Sequence, residues 1–146
     1  MTGAGFPDLT QLGDIPTGRT RWLGDTEPLQ SNVEALPWRG SAAGGGVASA
    51  NDMLRFFAAL RGGKLILPHL LEMATTPGES GWYGLGFVAQ GPPQPLWGHG
   101  GFSYGMNVAA QTMPEDGATF VCLATRDYAC DRAVNAWFWR RYGLRE

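Results

Sequence analysis

Across residues 1–40 the apolar positions keep neither a helical nor a strand period. Thr17-Gly18, Leu23-Gly24-Asp25 and Glu27-Pro28 break the stretch with turn-forming residues. This predicts a loosely structured lead-in of loop and short strand, and segments of that kind usually lean on something else. The pattern sharpens after Gly44-Gly45-Gly46. Met53, Phe56, Phe57 and Leu60 recur at i, i+3, i+4 and i+7, the apolar stripe of one helix. Ser49 stands where an N-cap is needed, and Asp52 places a carboxylate near the positive end. Gly62-Gly63 ends that helix. A second, shorter one starts at Pro68, a residue tolerated in a first turn, and stops before Thr75-Thr76-Pro77.

Beyond Pro77 the period changes to that of strands. Residues 82–89, 95–98, 106–113 and 118–125 are short, apolar or aromatic, and bounded by glycine and proline. Between the last two lies Pro114-Glu115-Asp116-Gly117. Proline presets φ, aspartate caps locally and glycine accepts the left-handed position, so an antiparallel hairpin is expected. A final helix spans about 128–142 and is closed by Gly143. Val134, Trp137 and Phe138 form its apolar face, and Arg140 and Arg141 suit its negative end. So aromatic a helix needs a broad surface, and the sheet provides one. The expected class is α+β: an antiparallel sheet of three or more strands packed by the C-terminal helix. The first helix is placed near the sheet edge.

Composition narrows the function classes. A chain of 146 residues fits one domain, 1–146, and is long enough to bury a core. With 44% hydrophobic and 16% charged residues, it is not the composition of a disordered chain. The formal net charge of −2 comes from scattered residues, without the basic stripe that nucleic acid requires. No apolar run reaches membrane-spanning length. The first residues carry no signal-peptide pattern, so a cytoplasmic location is expected if the chain is complete. Cys122 and Cys130 match no zinc spacing and are expected as two buried free thiols. No metal or cofactor is implied.

Two histidines remain as candidate chemistry. His69, in the short helix beside Leu70 and Leu71, reads as partly buried and hydrogen-bonded. His99 lies in Trp97-Gly98-His99-Gly100-Gly101-Phe102-Ser103-Tyr104-Gly105, where four glycines surround one imidazole. Glycines in a strand mark either a close approach by a ligand or a sharp strand crossing, and both uses stay open here. Other motifs fail. No Gly-Lys-Ser/Thr follows the glycine cluster, and Gly-x-Ser-x-Gly is absent. Glu115 and Asp116 suit a solvated turn, and Asp127, Asp131 and Arg132 suit a helix start.

The order of these pieces resembles the carboxy-terminal part of the beta-lactamase-like serine hydrolases. The pieces are Ser41 to Phe56, then Met73-Ala74-Thr75-Thr76-Pro77, Tyr83-Gly84-Leu85-Gly86-Phe87 and Trp97-Gly98-His99-Gly100-Gly101. The Met113-Pro114 turn and the strand through Val121-Cys122-Leu123-Ala124 follow in register. That family includes class C beta-lactamases, penicillin-binding carboxypeptidases, esterases and D-aminopeptidases. The likeness covers roughly residues 37–126 and implies a partial beta-lactamase/transpeptidase-like fold.

Three motifs build the active site in that family. The third, Lys-Thr/Ser-Gly or His-x-Gly, matches His99-Gly100-Gly101 on a cleft-lining strand. By that match His99 contacts a polar or anionic group of the substrate, and the backbone N–H of Phe102 is the second oxyanion donor. The substrate-binding residues implied are thus His99, Gly100, Gly101 and Phe102. The other two motifs are missing. Ser31, Ser41, Ser49, Ser80 and Ser103 all lack a lysine three positions on. Tyr104 and Asn107 are one residue too far apart for Tyr-x-Asn. No catalytic residue is therefore expected in this chain.

The reading is a fragment or truncated homologue of a serine hydrolase acting on an ester, amide or peptide, inert by itself. The alternative is a non-catalytic binding or self-association module. In the resembled family, amino-terminal strands complete the sheet beside the final strand. Here residues 118–125 are therefore expected to form a bare, uncharged edge. A homodimer follows, through that edge or through the N-terminal segment.

Overall fold

The computed structural model of the chain describes residues 4–8, 16–23, 28–92 and 95–143. Two short strands, β1 (Arg19–Thr20) and β2 (Gln30–Ser31), pair antiparallel, and a 3-10 turn follows at Val33–Ala35. Helices α1 (Ala50–Arg61) and α2 (Pro68–Thr75) come next. Four strands then form an antiparallel sheet in chain order: β3 (Val88–Gln90), β4 (Leu96–Ser103), β5 (Met106–Thr112) and β6 (Thr119–Ala124). Helix α3 (Ala129–Tyr142) ends the described chain. The α+β expectation holds.

Local chemistry accounts for most boundaries. The Ser49 hydroxyl accepts the Asp52 N–H at 3.1 Å and donates to the Asp52 carboxylate at 2.9 Å, a reciprocal cap. Pro68 opens α2 at a position where its missing N–H costs nothing. In the β5–β6 turn Gly117 takes φ +68°, its N–H reaches the Met113 carbonyl, and Asp116 accepts the Ala118 N–H at 2.9 Å.

Two strand boundaries differ from the expected ones. Only Val88–Gln90 of the 82–89 stretch is strand. The preceding residues double back, with Tyr83 bridging Val88, and the Ala89 N–H donating to the Trp82 carbonyl. The glycines of Tyr83-Gly84-Leu85-Gly86 serve that reversal. Conversely, β4 does not stop at Gly98 but runs to Ser103, paired with β5 from Trp97 to Ser103. Glycine is required within it. A Cβ on Gly98 would lie 2.0 Å from the Ala110 carbonyl oxygen.

Side chains alternate across the sheet, and directly opposed residues share a face. Trp97, Ala110 and Val121 point to one face, where Phe57 and Leu60 of α1 close a core with Phe56, Ile66 and Phe87. Helix α1 lies closest to β6, at the sheet edge. The other face carries Asn107, Ala109, Phe120 and Cys122 against α3, where Cys130 and Phe138 are buried. Trp137 of α3 meets the Phe120 ring at 5.3 Å.

The expected free thiols are instead a disulfide. Cys122 on β6 and Cys130 in the first turn of α3 stand 5.5 Å apart between Cα atoms and are bonded. The eight-residue spacing looked uninformative because the crossing from strand to helix, not the sequence separation, brings the two side chains together. Described parts of the lead-in are hydrogen-bonded to the rest of the chain. Asn32, fully buried, accepts the Gly18 N–H at 2.9 Å and donates to the Tyr104 carbonyl at 2.7 Å. The Arg19 N–H reaches the Thr125 carbonyl at 3.2 Å. The Asn32–Tyr104 and Arg19–Thr125 bonds tie β1 and the residue after β2 to the ends of the sheet strands. Residues 1–3, 9–15 and 24–27 of the expected lead-in lie outside the described residues.

Candidate functional site

Strand β4 carries every site residue expected from the sequence. Pairing with β3 covers only Leu96–Gly98, so among the described residues the outer edge of β4 from His99 to Ser103 has no strand beside it. His99, Gly100, Gly101 and Phe102 thus line an open sheet edge. A Cβ on Gly100 would come within 3.0 Å of the Val108 carbonyl.

Alternation separates the two side chains of that run. His99 shares the α1 face with Trp97, whereas Phe102 points to the α3 face. There its ring, 65% exposed, joins Trp22 at 5.5 Å and Tyr128 at 6.4 Å. Only the backbone of Phe102 is therefore available to the site on the His99 side. The α1 face is uncovered beside it, since Val108 and Leu123 are 41% and 42% exposed where α1 does not reach.

The ring of His99 is held at both nitrogens. Nδ1 lies 2.6 Å from the Gly100 carbonyl, and Nε2 lies 3.0 Å from the Tyr83 hydroxyl. The rings of Tyr83 and His99 meet edge to face at 5.9 Å. Tyr83 is the site residue that sequence reasoning missed as chemistry. It stands in Tyr83-Gly84-Leu85-Gly86-Phe87, where the two glycines signalled a turn, and that turn swings the phenol onto β4.

Other polar candidates resolve into structure. Asn107, 2% exposed, accepts the N–H groups of Cys130 at 2.7 Å and Asp131 at 3.1 Å, which caps α3 from β5. It is therefore a cap and no partner of Tyr104. Asp127 accepts the Gly105 N–H at 2.8 Å. His69 is exposed on α2, not partly buried as expected. Among the described residues no three His, Cys, Asp or Glu side chains gather closely enough to hold a metal ion. A shallow depression lined by Ala133, Trp137 and Arg140 belongs to α3, on the opposite face from His99. No described helix is long and apolar enough to cross a membrane.

Comparison with known proteins supplies the context for this edge. The family model described as Beta-lactamase matches residues 7–144. No curated protein sequence matches the chain. Among solved structures, a penicillin binding protein from Bacillus halodurans superposes with a TM-score of 0.73 at 21% identity, over 92% of this chain. A D-stereospecific amidohydrolase from Streptomyces sp. superposes at 0.68 and 20% identity, over 91% of this chain. At such identities the likeness is one of fold. The chain spans 44% and 41% of the length of those two proteins.

Proposed function

Because the chain belongs to the beta-lactamase family, we propose that it forms one wall of a serine hydrolase active site acting on an ester, amide or peptide. The observation that carries this reading is the open edge of β4 beyond Gly98, with His99 exposed on it. In this reading residues 1–146 act as one unit. His99, Gly100 and Gly101 line the substrate cleft, and the Phe102 N–H donates to the developing oxyanion, a contribution of a few kcal/mol opposite a nucleophile. The serine and its base come from outside these residues, since no Ser-x-x-Lys or Tyr-x-Asn occurs here. The exposed Val108 and Leu123 support it, because they leave apolar sheet surface where further structure would pack.

The isolated chain is inert in this reading, because nucleophile and base together provide most of the rate. Mass spectrometry after incubation with a penicillin or a fluorophosphonate tests it. No adduct is expected on the chain alone. Labelling of any of its serines, Ser103 above all, overturns the reading.

The Cys122–Cys130 bridge supports a working place that is oxidising, against a cytoplasmic one. A second reading, a self-associating module, is favoured by one observation. The outermost strand β6 reads Thr119-Phe120-Val121-Cys122-Leu123-Ala124, without charge or proline.

A further inference from the structure

The two bonds of His99 fix where its hydrogen sits. A carbonyl can only accept, so at 2.6 Å from the Gly100 oxygen Nδ1 carries a hydrogen, which in the neutral form of the ring is its single N–H. Nε2 then has a lone pair and accepts from the Tyr83 hydroxyl at 3.0 Å. Both ring nitrogens are occupied, and the Tyr83 proton is consumed as well. The remaining hydrogen-bonding capacity of the pair is the lone pair on the Tyr83 oxygen. That oxygen accepts and cannot donate. Beside it stands Trp82, 59% exposed, its ring 5.3 Å from that of Tyr83 and inclined at 67°. An exposed indole packed against the phenol that bears the acceptor oxygen suits a cation, through cation–π attraction and a charge-assisted hydrogen bond.

From the Tyr83–His99 hydrogen bond and the exposed Trp82 face beside it, we propose that Tyr83 is a positioning residue holding His99 as the Nδ1–H tautomer. With Trp82 it makes a subsite for an ammonium group of the ligand. The ligand class rests on the reading of β4 as a substrate edge, and narrows it: the group recognised beside His99 is a hydrogen-bond donor and not a carboxylate. With both ring nitrogens engaged, His99 has no free N–H to offer an anion. The tautomer itself is a property of the chain alone.

The test uses the full chain with nitrogen-15 in its imidazoles and His69→Gln as background, which leaves His99 as the single histidine. In mildly alkaline buffer, above the ordinary imidazole range, nitrogen–proton correlation spectra are expected to show Nδ1 protonated and Nε2 bare. Tyr83→Phe removes the donor, and the population is expected to move several-fold toward the Nε2–H form that histidine prefers in water. An Nε2–H tautomer in the parent, or a ratio unmoved by Tyr83→Phe, overturns the positioning role. Benzylammonium and benzoate then serve as probes. Benzylammonium is expected to shift the Tyr83 and His99 resonances, and Trp82→Leu to weaken that response several-fold. A response to benzoate instead, or to neither probe, overturns the subsite. Neither arm needs a nucleophile. A serine adduct on the isolated chain would sink the hydrolase-wall reading while leaving the tautomer standing.

Discussion

Gln111 lies on the α3 face of β5, opposite Gly98 on one side and Phe120 on the other. Its side-chain oxygen is buried without a hydrogen-bond partner. An unpaired buried acceptor forfeits its water without compensation, which costs about 1–3 kcal/mol. Methionine has nearly the same shape and no such demand. Gln111→Met is therefore expected to raise the stability of the chain by about 1 kcal/mol, read as a higher urea midpoint at unchanged slope. A lower midpoint would mean that the amide has a partner in solution. Asn107 is the counter-case on the same face, since its amide is spent on capping α3 and holding the Gly101 carbonyl.

Helix α3 is the element with the most separate attachments. The Asn107 cap and the Cys122–Cys130 bond hold its first turn, and Arg141 binds Asp116 of the β5–β6 turn at 2.7 Å near its last. Closing an eight-residue span by a disulfide limits the unfolded chain by about 2–3 kcal/mol. Thermal or urea unfolding with and without a strong reductant is expected to show a loss of about that size. The amides of α3 should be the first to lose protection. An unchanged midpoint would show that packing of Phe138 and Trp137 alone holds the helix. The other end responds to acid. The Ala118 N–H and then the Arg141 guanidinium hold the Asp116 carboxyl below the usual carboxylate range, and burial pushes the neighbouring Tyr142 phenol up. A carboxyl depressed in the folded state stabilises above the ordinary carboxylate range, and that contribution disappears as pH falls through the depressed value. Both partners are exposed, so the effect is small. Asp116→Asn should be slightly less stable than the parent at neutral pH and equal to it in strong acid. A gap that persists in acid would assign the loss to the turn.

At the scale of the molecule, the sheet ends in β6. The Arg19 N–H occupies the Thr125 carbonyl, which shields the end of that strand and leaves Thr119–Ala124 as the outermost segment among the described residues. A homodimer by strand addition at 118–125, or by exchange of the lead-in, remains the expected state. Light scattering at tens of micromolar is expected to report twice the chain mass. Leu123→Lys, which puts a charge at an exposed position of the edge, should return the mass to that of one chain. A monomeric parent whose amides 119–124 exchange freely would remove the edge from consideration.

Periodicity and caps were enough to predict α1, α2, α3 and the β5–β6 hairpin, because each depends on residues within one turn or one strand of each other. Ser49 with Asp52, and Pro114 to Gly117, carry their geometry in their own chemistry. His99 stood out locally as an imidazole among glycines, whereas Gly100, Gly101 and Phe102 became candidates only through the resemblance to the beta-lactamase-like hydrolases. Contacts across distance were not legible. The Cys122–Cys130 bond exists because β6 and α3 cross on one face of the sheet, and no spacing rule encodes a crossing. Tyr83 reaches His99 because the chain reverses between Trp82 and Ala89, so a stretch with strand composition became a turn. Asn107 looked like a failed catalytic motif until its burial beside the start of α3 made it a cap. A residue's type sets which bonds it can make, and the tertiary structure alone decides which partner comes within 3 Å of it.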